Sequence, residues 1–264
     1  MCEEGAKFIY GAEDGGATAA LYPGKPLWMY VRDGWHVENL RNFFTDCARS
    51  ISYDVANAAN GGLNGLITKT WVAEICRGIC PNPVVDSWET ASLYLDKFIY
   101  YRDTHKQLHL ASRLVFPNMQ DVPVISGWIK EFYREALSID LSGEAKGDVS
   151  VEFGAEPEMK PEKKIAKALI GKKMLYCLEV GGIDLTAMAM SVPVSEMGRL
   201  NLIYTPPCYR GQGYGREITA SLAARLQKGG KLPVLYVRVK NKAAMKLYQS
   251  LGFLEAGRLT ELKF

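Results

Sequence analysis

Residues 199–215 read Arg199-Leu200-Asn201-Leu202-Ile203-Tyr204-Thr205-Pro206-Pro207-Cys208-Tyr209-Arg210-Gly211-Gln212-Gly213-Tyr214-Gly215. A strand over residues 199–205 runs through the two prolines into a glycine-rich turn. Ile218, Leu222 and Leu226 then stack at i, i+4 and i+8 on a helix that stops at Gly229-Gly230. A glycine turn at a helix N-terminus aims unpaired backbone N–H groups and the positive end of the helix dipole at one spot, which suits a phosphate. Glycine matters there because a Cβ would hold a ligand off the backbone or forbid positive φ. The spacing argues against two common phosphate binders. A Walker loop needs Lys-Ser or Lys-Thr after its last glycine, where this chain has Arg216-Glu217. A dinucleotide fingerprint needs glycine first, third and sixth, where Gly211, Gly213 and Gly215 alternate and Arg216 stands sixth.

A second stretch follows a strand over residues 233–239: Asn241-Lys242-Ala243-Ala244-Met245-Lys246-Leu247-Tyr248-Gln249-Ser250-Leu251-Gly252-Phe253. Asn241 is a good N-cap, Ala244, Leu247, Tyr248 and Leu251 share a helix face, and Gly252 closes the helix. Taken alone, Tyr248 is an amphipathic packing residue.

Outward from these motifs the second half keeps a regular pattern. Residues 114–116 read as a short strand, and 122–137 as a helix with Val124, Trp128, Phe132 and Ala136 on one face. Residues 141–162 are polar, acidic and punctuated by Gly and Pro, the pattern of a loop. A short basic helix over 162–170 ends at Gly171, and residues 174–180 and 183–192 form a hairpin around Gly181-Gly182. The first half predicts helices over 37–52 and 68–79 and a strand over 88–100. It offers no defensible nucleophile, base or ligand set, and its scattered Trp28, Trp35, Trp71 and Trp88 suit core packing better than the alternative of lining a pocket. The chain divides near residues 102–112, giving expected domains of 1–105 and 106–264.

Composition bounds the possibilities. At 264 residues, two small domains are expected, and 48% hydrophobic with 23% charged residues excludes wholesale disorder. Thirty-two Lys and Arg against 29 Asp and Glu leave +3, too little for a general nucleic-acid binder. The acidic start Met1-Cys2-Glu3-Glu4-Gly5 is unlike a signal peptide, and no uncharged apolar run reaches the about 18 residues of a membrane span, so a cytoplasmic protein without a membrane partner is expected. Six cysteines and three histidines show no zinc spacing, so no metal is expected and the thiols read as reduced and mostly buried.

Together the two motifs resemble the GNAT superfamily of acetyl-CoA-dependent N-acyltransferases, over about residues 112–264 and most strongly over 200–253. Arg210-Gly211-Gln212-Gly213-Tyr214-Gly215 fits the (Gln/Arg)-x-x-Gly-x-(Gly/Ala) pyrophosphate loop of that family. Asn241 to Phe253 fits its Asn-x-x-Ala-x-x-Leu-Tyr-x-x-x-Gly-Phe segment. Tyr204-Thr205-Pro206-Pro207 is similar to members whose N-terminal half is a degenerate second GNAT-like domain. The resemblance implies an α/β (α+β) fold, a GNAT-like central mixed sheet flanked by helices and preceded by a smaller degenerate GNAT-like domain. It implies acetyl-CoA as cosubstrate, its pantetheine arm lying between two splayed parallel strands and bonded to backbone at Ile203 and Thr205. Tyr204, Arg210, Gly211, Gln212, Gly213, Tyr214, Gly215, Arg216 and Asn241 complete the implied cofactor contacts.

The implied reaction is direct attack by a primary amine of a small molecule or peptide, with a backbone N–H near Ile203 stabilising the oxyanion and Tyr248 in the proton-donor position. Among Glu196, Arg199 and Asn201 near the strand before the loop, only Glu196 is a base. Cys208 is incidental to direct transfer. The alternative is a catalytically silent acyl-CoA-binding regulatory module. The acceptor and the oligomeric state are not legible.

Overall fold

The computed structural model describes residues 8–21, 26–56, 65–80, 83–96, 112–137, 159–182 and 184–264. In chain order the elements are β1 (Phe8–Gly11), β2 (Ala17–Leu21), β3 (Leu27–Val31), α1 (Val37–Ala56), β4 (Gly65–Lys69), α2 (Thr70–Arg77) and β5 (Asp86–Tyr94). They continue with β6 (Ser112–Val115), α3 (Val122–Phe132), α4 (Pro161–Gly171), β7 (Leu175–Val180), β8 (Asp184–Val194) and β9 (Met197–Tyr204). The last are α5 (Tyr214–Lys228), β10 (Leu232–Arg238), α6 (Lys242–Ser250) and β11 (Leu254–Lys263).

The chain forms two compact units, one of Met1–Ala91, Arg238–Lys240 and Gly257–Phe264, the other of Ser92–Val237 and Asn241–Ala256. In the first unit β1, β2 and β3 form an antiparallel meander, β4 lies parallel to β3, and β11 runs antiparallel to β4 with Thr260 opposite Thr68. Strand alternation buries Leu27, Met29 and Val31 while Trp28 and Tyr30 face out. Leu40, Phe44 and Cys47 of α1 and Val72, Ala73 and Cys76 of α2 pack with them in one core cluster. At about 25 cal/mol per Å² of apolar surface, this burial is the chief force holding the unit together.

The second unit orders its strands β10-β9-β8-β7-β6, antiparallel from β6 to β9 and parallel between β9 and β10. Val122, Ile125 and Ile129 of α3 and Ile165, Ala166, Leu169 and Ile170 of α4 pack with Leu175, Cys177, Met188, Met190, Leu202 and Tyr204. Ahead of α3, Asn118 and Asp121 cap one another: Gln120 N–H donates to Asn118 Oδ1 at 2.8 Å and Asn118 N–H donates to Asp121 Oδ2 at 2.7 Å.

The structure corrects several expectations. The segment 68–79 is not one helix, because β-branched Ile67 and Thr68 continue a buried strand and α2 begins at Thr70. The helix expected over 122–137 keeps α geometry to Phe132 and widens into a π-helical turn over Tyr133–Leu137. Strand β5 ends at Tyr94, and residues 97–100 of the expected strand lie outside the described residues, as do 141–158 of the expected loop. Of the four tryptophans in the first half, Trp35 is buried, whereas Trp28 is 44% exposed and contributes little to a core. Strands β1 to β4 and β11 add to the strands that the sequence pattern predicts. No helix among the described residues is long and apolar enough to cross a membrane.

Candidate active site

Strands β9 and β10 begin as an ordinary parallel pair, Met197 opposite Leu232 through Leu200 opposite Leu235. The pairing stops there, although β9 continues to Tyr204 and β10 to Arg238. At the same level β8 and β9 lose register: Met190 faces Asn201, but Met188 faces Tyr204, so two steps on β8 span three on β9. The extra residue is a bulge in which Leu202 has φ +49° and its N–H donates to Asn201 Oδ1 at 2.8 Å. A bulge takes backbone out of the ladder, so the parted end of β9 can offer polar groups to a ligand. Asn201 thus serves the bulge as a support.

Beyond β9 the chain turns at Pro206-Pro207, with Tyr209 N–H donating to Pro206 C=O at 2.9 Å and Arg210 N–H to Pro207 C=O at 3.2 Å. Gly211 and Gly213 have φ +76° and +86°, in the left-handed region where a Cβ is strained. Gly213 is the N-cap of α5, and no side chain caps that helix. A Cβ on Gly211 would meet nothing within 4 Å, whereas one on Gly215 would lie 3.0 Å from Thr205 Oγ1 and 3.7 Å from Leu247 Cδ1. The open side of Gly211 and the uncapped helix start fit a diphosphate, and Gly215 lets the first turn of α5 sit against Thr205 and α6. Among the described residues no group of three or more His, Cys, Asp or Glu could hold a metal.

The side chains of this loop have diverse partners. Arg210 Nε donates to Thr205 C=O at 2.9 Å and Nη2 to Glu135 Oε2 at 2.7 Å, and its guanidinium lies 5.5 Å from the Tyr204 ring. Gln212 Nε2 donates to Cys208 C=O at 3.2 Å, and Tyr214 is buried with its ring edge-on to Tyr209 at 6.1 Å. Arg216 Nη1 donates to Ser250 Oγ at 3.0 Å. Asn241 Oδ1 accepts Ala244 N–H at 3.1 Å, so this side chain caps α6.

Arg216 and Gly215 join the start of α5 to α6, which carries Tyr248. Its ring is 7% exposed and stacks edge-on with Phe253 at 6.0 Å. Burial pushes the phenol well above its ordinary value, so it stays protonated across the working pH range. Tyr204, 6% exposed, is also raised, first by burial and then by the neighbouring Glu135 carboxylate, whose Oε1 accepts its hydroxyl at 3.4 Å. Glu196 does not join this group. It is exposed in the turn between β8 and β9, seven residues before Ile203, roughly 20 Å away at about 3.3 Å per strand residue. Sequence reasoning missed Glu135, since the side it faces depends on the π-helical turn.

Residues 180–261 match the family described as FR47-like protein. A stretch of 73 residues is 40% identical to the [ribosomal protein bS18]-alanine N-acetyltransferase of Escherichia coli (strain K12), covering 27% of this chain and 49% of that protein. The chain spans about half the length of the curated relatives it matches. The solved structure of a GCN5-related N-acetyltransferase from Sphaerobacter thermophilus aligns over 97% of this chain and 79% of its own, with TM-score 0.61 at 12% identity. An acetyltransferase from the GNAT family of Colwellia psychrerythraea aligns over 97% of this chain and 83% of its own, with TM-score 0.55 at 13% identity. At those identities the likeness is one of fold. The residues matched by the family model hold the bulged strand, the glycine turn and α6, and the likeness of fold to acetyltransferase structures extends along nearly the whole chain.

Proposed function

We propose that the protein is an acetyl-CoA-dependent N-acetyltransferase that moves an acetyl group to a primary amine of a small molecule or peptide by direct attack. The observation that carries this reading is the parting of β9 from β10 next to an α5 N-terminus that no side chain caps. The name of the relative, which acts on an alanine of a ribosomal protein, supports a peptide amine as acceptor. Acetyl-CoA supplies the activated acyl carbonyl and the thiol leaving group.

In this reading backbone N–H groups of residues 211–215 hold the diphosphate, and the ends of Ile203 and Thr205 exposed by the parted strands hold the pantetheine amides. The backbone N–H near Ile203 donates to the carbonyl oxygen as the amine nitrogen forms its bond to carbon and the carbon–sulfur bond breaks. Tyr248 gives its proton to the departing sulfur and regains one from the acylated nitrogen, so protons balance over a cycle. Glu196 is too distant to act as base, so the amine arrives neutral or loses its first proton to solvent.

The N-terminal half, residues 1–105, is proposed as a degenerate GNAT-like domain. The succession β1-β2-β3-α1-β4-α2 repeats β7-β8-β9-α5-β10-α6, each an antiparallel meander followed by a helix, a parallel strand and a second helix. A cytoplasmic location belongs to the same reading. The test is incubation with acetyl-CoA and a panel of amines and short peptides, reading free thiol. Thiol release that depends on an amine supports the assignment; CoA binding with no turnover of any amine replaces it with the silent module.

A further inference from the structure

We propose that Glu135 is a positioning residue for the cofactor loop. This rests on the acetyltransferase reading above and adds a residue outside the loop and α6. Glu135 lies in the π-helical turn that ends α3, on the other side of the sheet sequence from the glycine turn, 75 residues before Arg210.

Its two carboxylate oxygens have different partners. Oε2 accepts from Arg210 Nη2 at 2.7 Å, and Oε1 accepts from the Tyr204 hydroxyl at 3.4 Å. Arg210 in turn holds Thr205 C=O through Nε at 2.9 Å and lies over the Tyr204 ring. One carboxylate therefore fixes the last residue of β9 and the first residue of the glycine turn, the two ends of the Thr205-to-Tyr209 bend. An arginine in such a turn would ordinarily be read as a phosphate ligand, yet two of its guanidinium nitrogens are directed into the protein. Its part is to hold the bend closed, and Glu135 keeps it there.

The π-helical turn has a physical reason in this arrangement. A wider turn rotates the residues after Tyr133 relative to an α-helix, and such insertions concentrate at functional sites. In the same turn Arg134 pairs with Glu131 and comes within 4.0 Å of Glu135 Oε1. Arg134 thus approaches the carboxylate oxygen that Arg210 does not bond. A single half-exposed ion pair contributes little, but a carboxylate tied both to Arg210 and to Tyr204 at the turn transmits its loss to the ligand site.

The experiment is calorimetric titration with CoA of the wild type, Glu135→Gln, Glu135→Ala, Arg210→Ala and the double variant Glu135→Ala/Arg210→Ala, followed by steady-state kinetics on the best amine. Glu135→Gln keeps the size and helix fit, so lost affinity is not lost folding. The expected result is a Kd for CoA raised about three- to tenfold in each single variant, with the double variant no weaker than Arg210→Ala. In the kinetics KM for acetyl-CoA should rise more than kcat falls, a split that general destabilisation does not produce. Wild-type affinity in both Glu135 variants, or strictly additive losses in the double variant, overturns the proposal while leaving the acetyltransferase reading intact. Failure of the wild type to bind CoA overturns both.

Discussion

The segments β3–α1–β4 and β9–α5–β10 are built alike, and the differences between them indicate which half handles an anion. Both are a strand, a helix and a parallel strand, and both parallel pairs are short, Leu27 opposite Leu66 and Trp28 opposite Ile67 in the first, four pairs in the second. The β2–β3 register runs unbroken from Ala17 to Ala20, whereas β8–β9 carries the Leu202 bulge. Five residues join β3 to α1, with one left-handed glycine, Gly34, and the carboxylates of Asp33 and Glu38 nearby. There the Glu38 N–H donates to His36 Nδ1 at 3.4 Å, so a side chain occupies the helix start. At α5 two left-handed glycines lead into a helix start with no capping side chain. In the proposed reading the same supersecondary unit is a packing element or an anion cradle according to the turn that enters its helix.

The second helices extend the contrast and give the largest expected effect. The buried i, i+3 residues are Ala73 and Cys76 in α2, and Met245 and Tyr248 in α6. Cys76 is enclosed in the core cluster of the first unit, where burial raises its thiol to about 12. Tyr248→Phe keeps the ring and its contact with Phe253, so packing alone forecasts little change. As proton donor its loss should lower kcat by roughly 10²- to 10⁴-fold with CoA affinity nearly intact. Because the native phenol is raised, the wild-type rate should show no loss from Tyr248 ionisation up to about pH 10. Unchanged kcat in Tyr248→Phe, with chemistry limiting, would make α6 as purely structural as α2.

Alkaline stability sharpens the same comparison from the core of the first unit. Burial raises Cys47 and Cys76 from 9.0 to about 12, with Asp46 adding to Cys47 and the neighbouring thiols to Cys76. The folded pKa lies above the unfolded one, so their contribution is complete below pH 9 and is lost progressively as pH rises through 9 towards 12. Each thiol adds a slope of at most about 1.4 kcal/mol per pH unit. Urea midpoints should fall between pH 8.5 and about 10.5, and less steeply in Cys47→Ala and Cys76→Ala measured against their own neutral values. Equal slopes in all three proteins would exclude these thiols as the cause.

The legible parts of the molecule are those with local signatures. Gly211, Gly213 and Gly215 announce a turn whose backbone must take positive φ, and Asn241 with Gly252 brackets α6 at both ends. The hairpin around Gly181-Gly182 lies where its glycines place it. Strand β11 escapes notice because it is mostly exposed and Gly257 interrupts it, leaving no clean period of two. Residues 68–79 mislead because strand β4 passes directly into α2 without a turn residue. Among candidate site residues the glycines are picked out by spacing and Tyr248 by the family resemblance, whereas Glu135 depends on a tertiary contact across 75 residues and Glu196 stands in the turn between β8 and β9.

A matched pair of glycine substitutions tests whether the two helix entries differ in function or only in shape. Gly34 and Gly213 have φ +78° and +86°, so Val at either position is strained and should cost roughly 1–2 kcal/mol of stability. Only Gly213→Val should also weaken CoA binding, by at least about tenfold. Denaturation and calorimetry on both variants separate the two effects. Equal CoA affinity in wild type and Gly213→Val would remove the diphosphate from the α5 entry.

The smallest effect is a count, and it bears on the comparison most directly. If the first half retained the function of its counterpart, saturation would require two CoA per chain. The β3–α1 turn argues for one: His36 fills the helix start, Asp33 is held at 2.7 Å by Lys69, and Glu38 brings another negative charge into the first turn. A diphosphate there would meet like charges across a few ångströms, and repulsion would outweigh the helix dipole, which contributes only about 0.3–1 kcal/mol at an exposed terminus. Equilibrium dialysis with CoA should therefore saturate at one per chain, and Gly213→Val should lower affinity without exposing a second class of sites. Saturation at two equivalent sites would mean that β3–α1–β4 binds anions despite its carboxylates, and the distinction drawn between the two halves would fail.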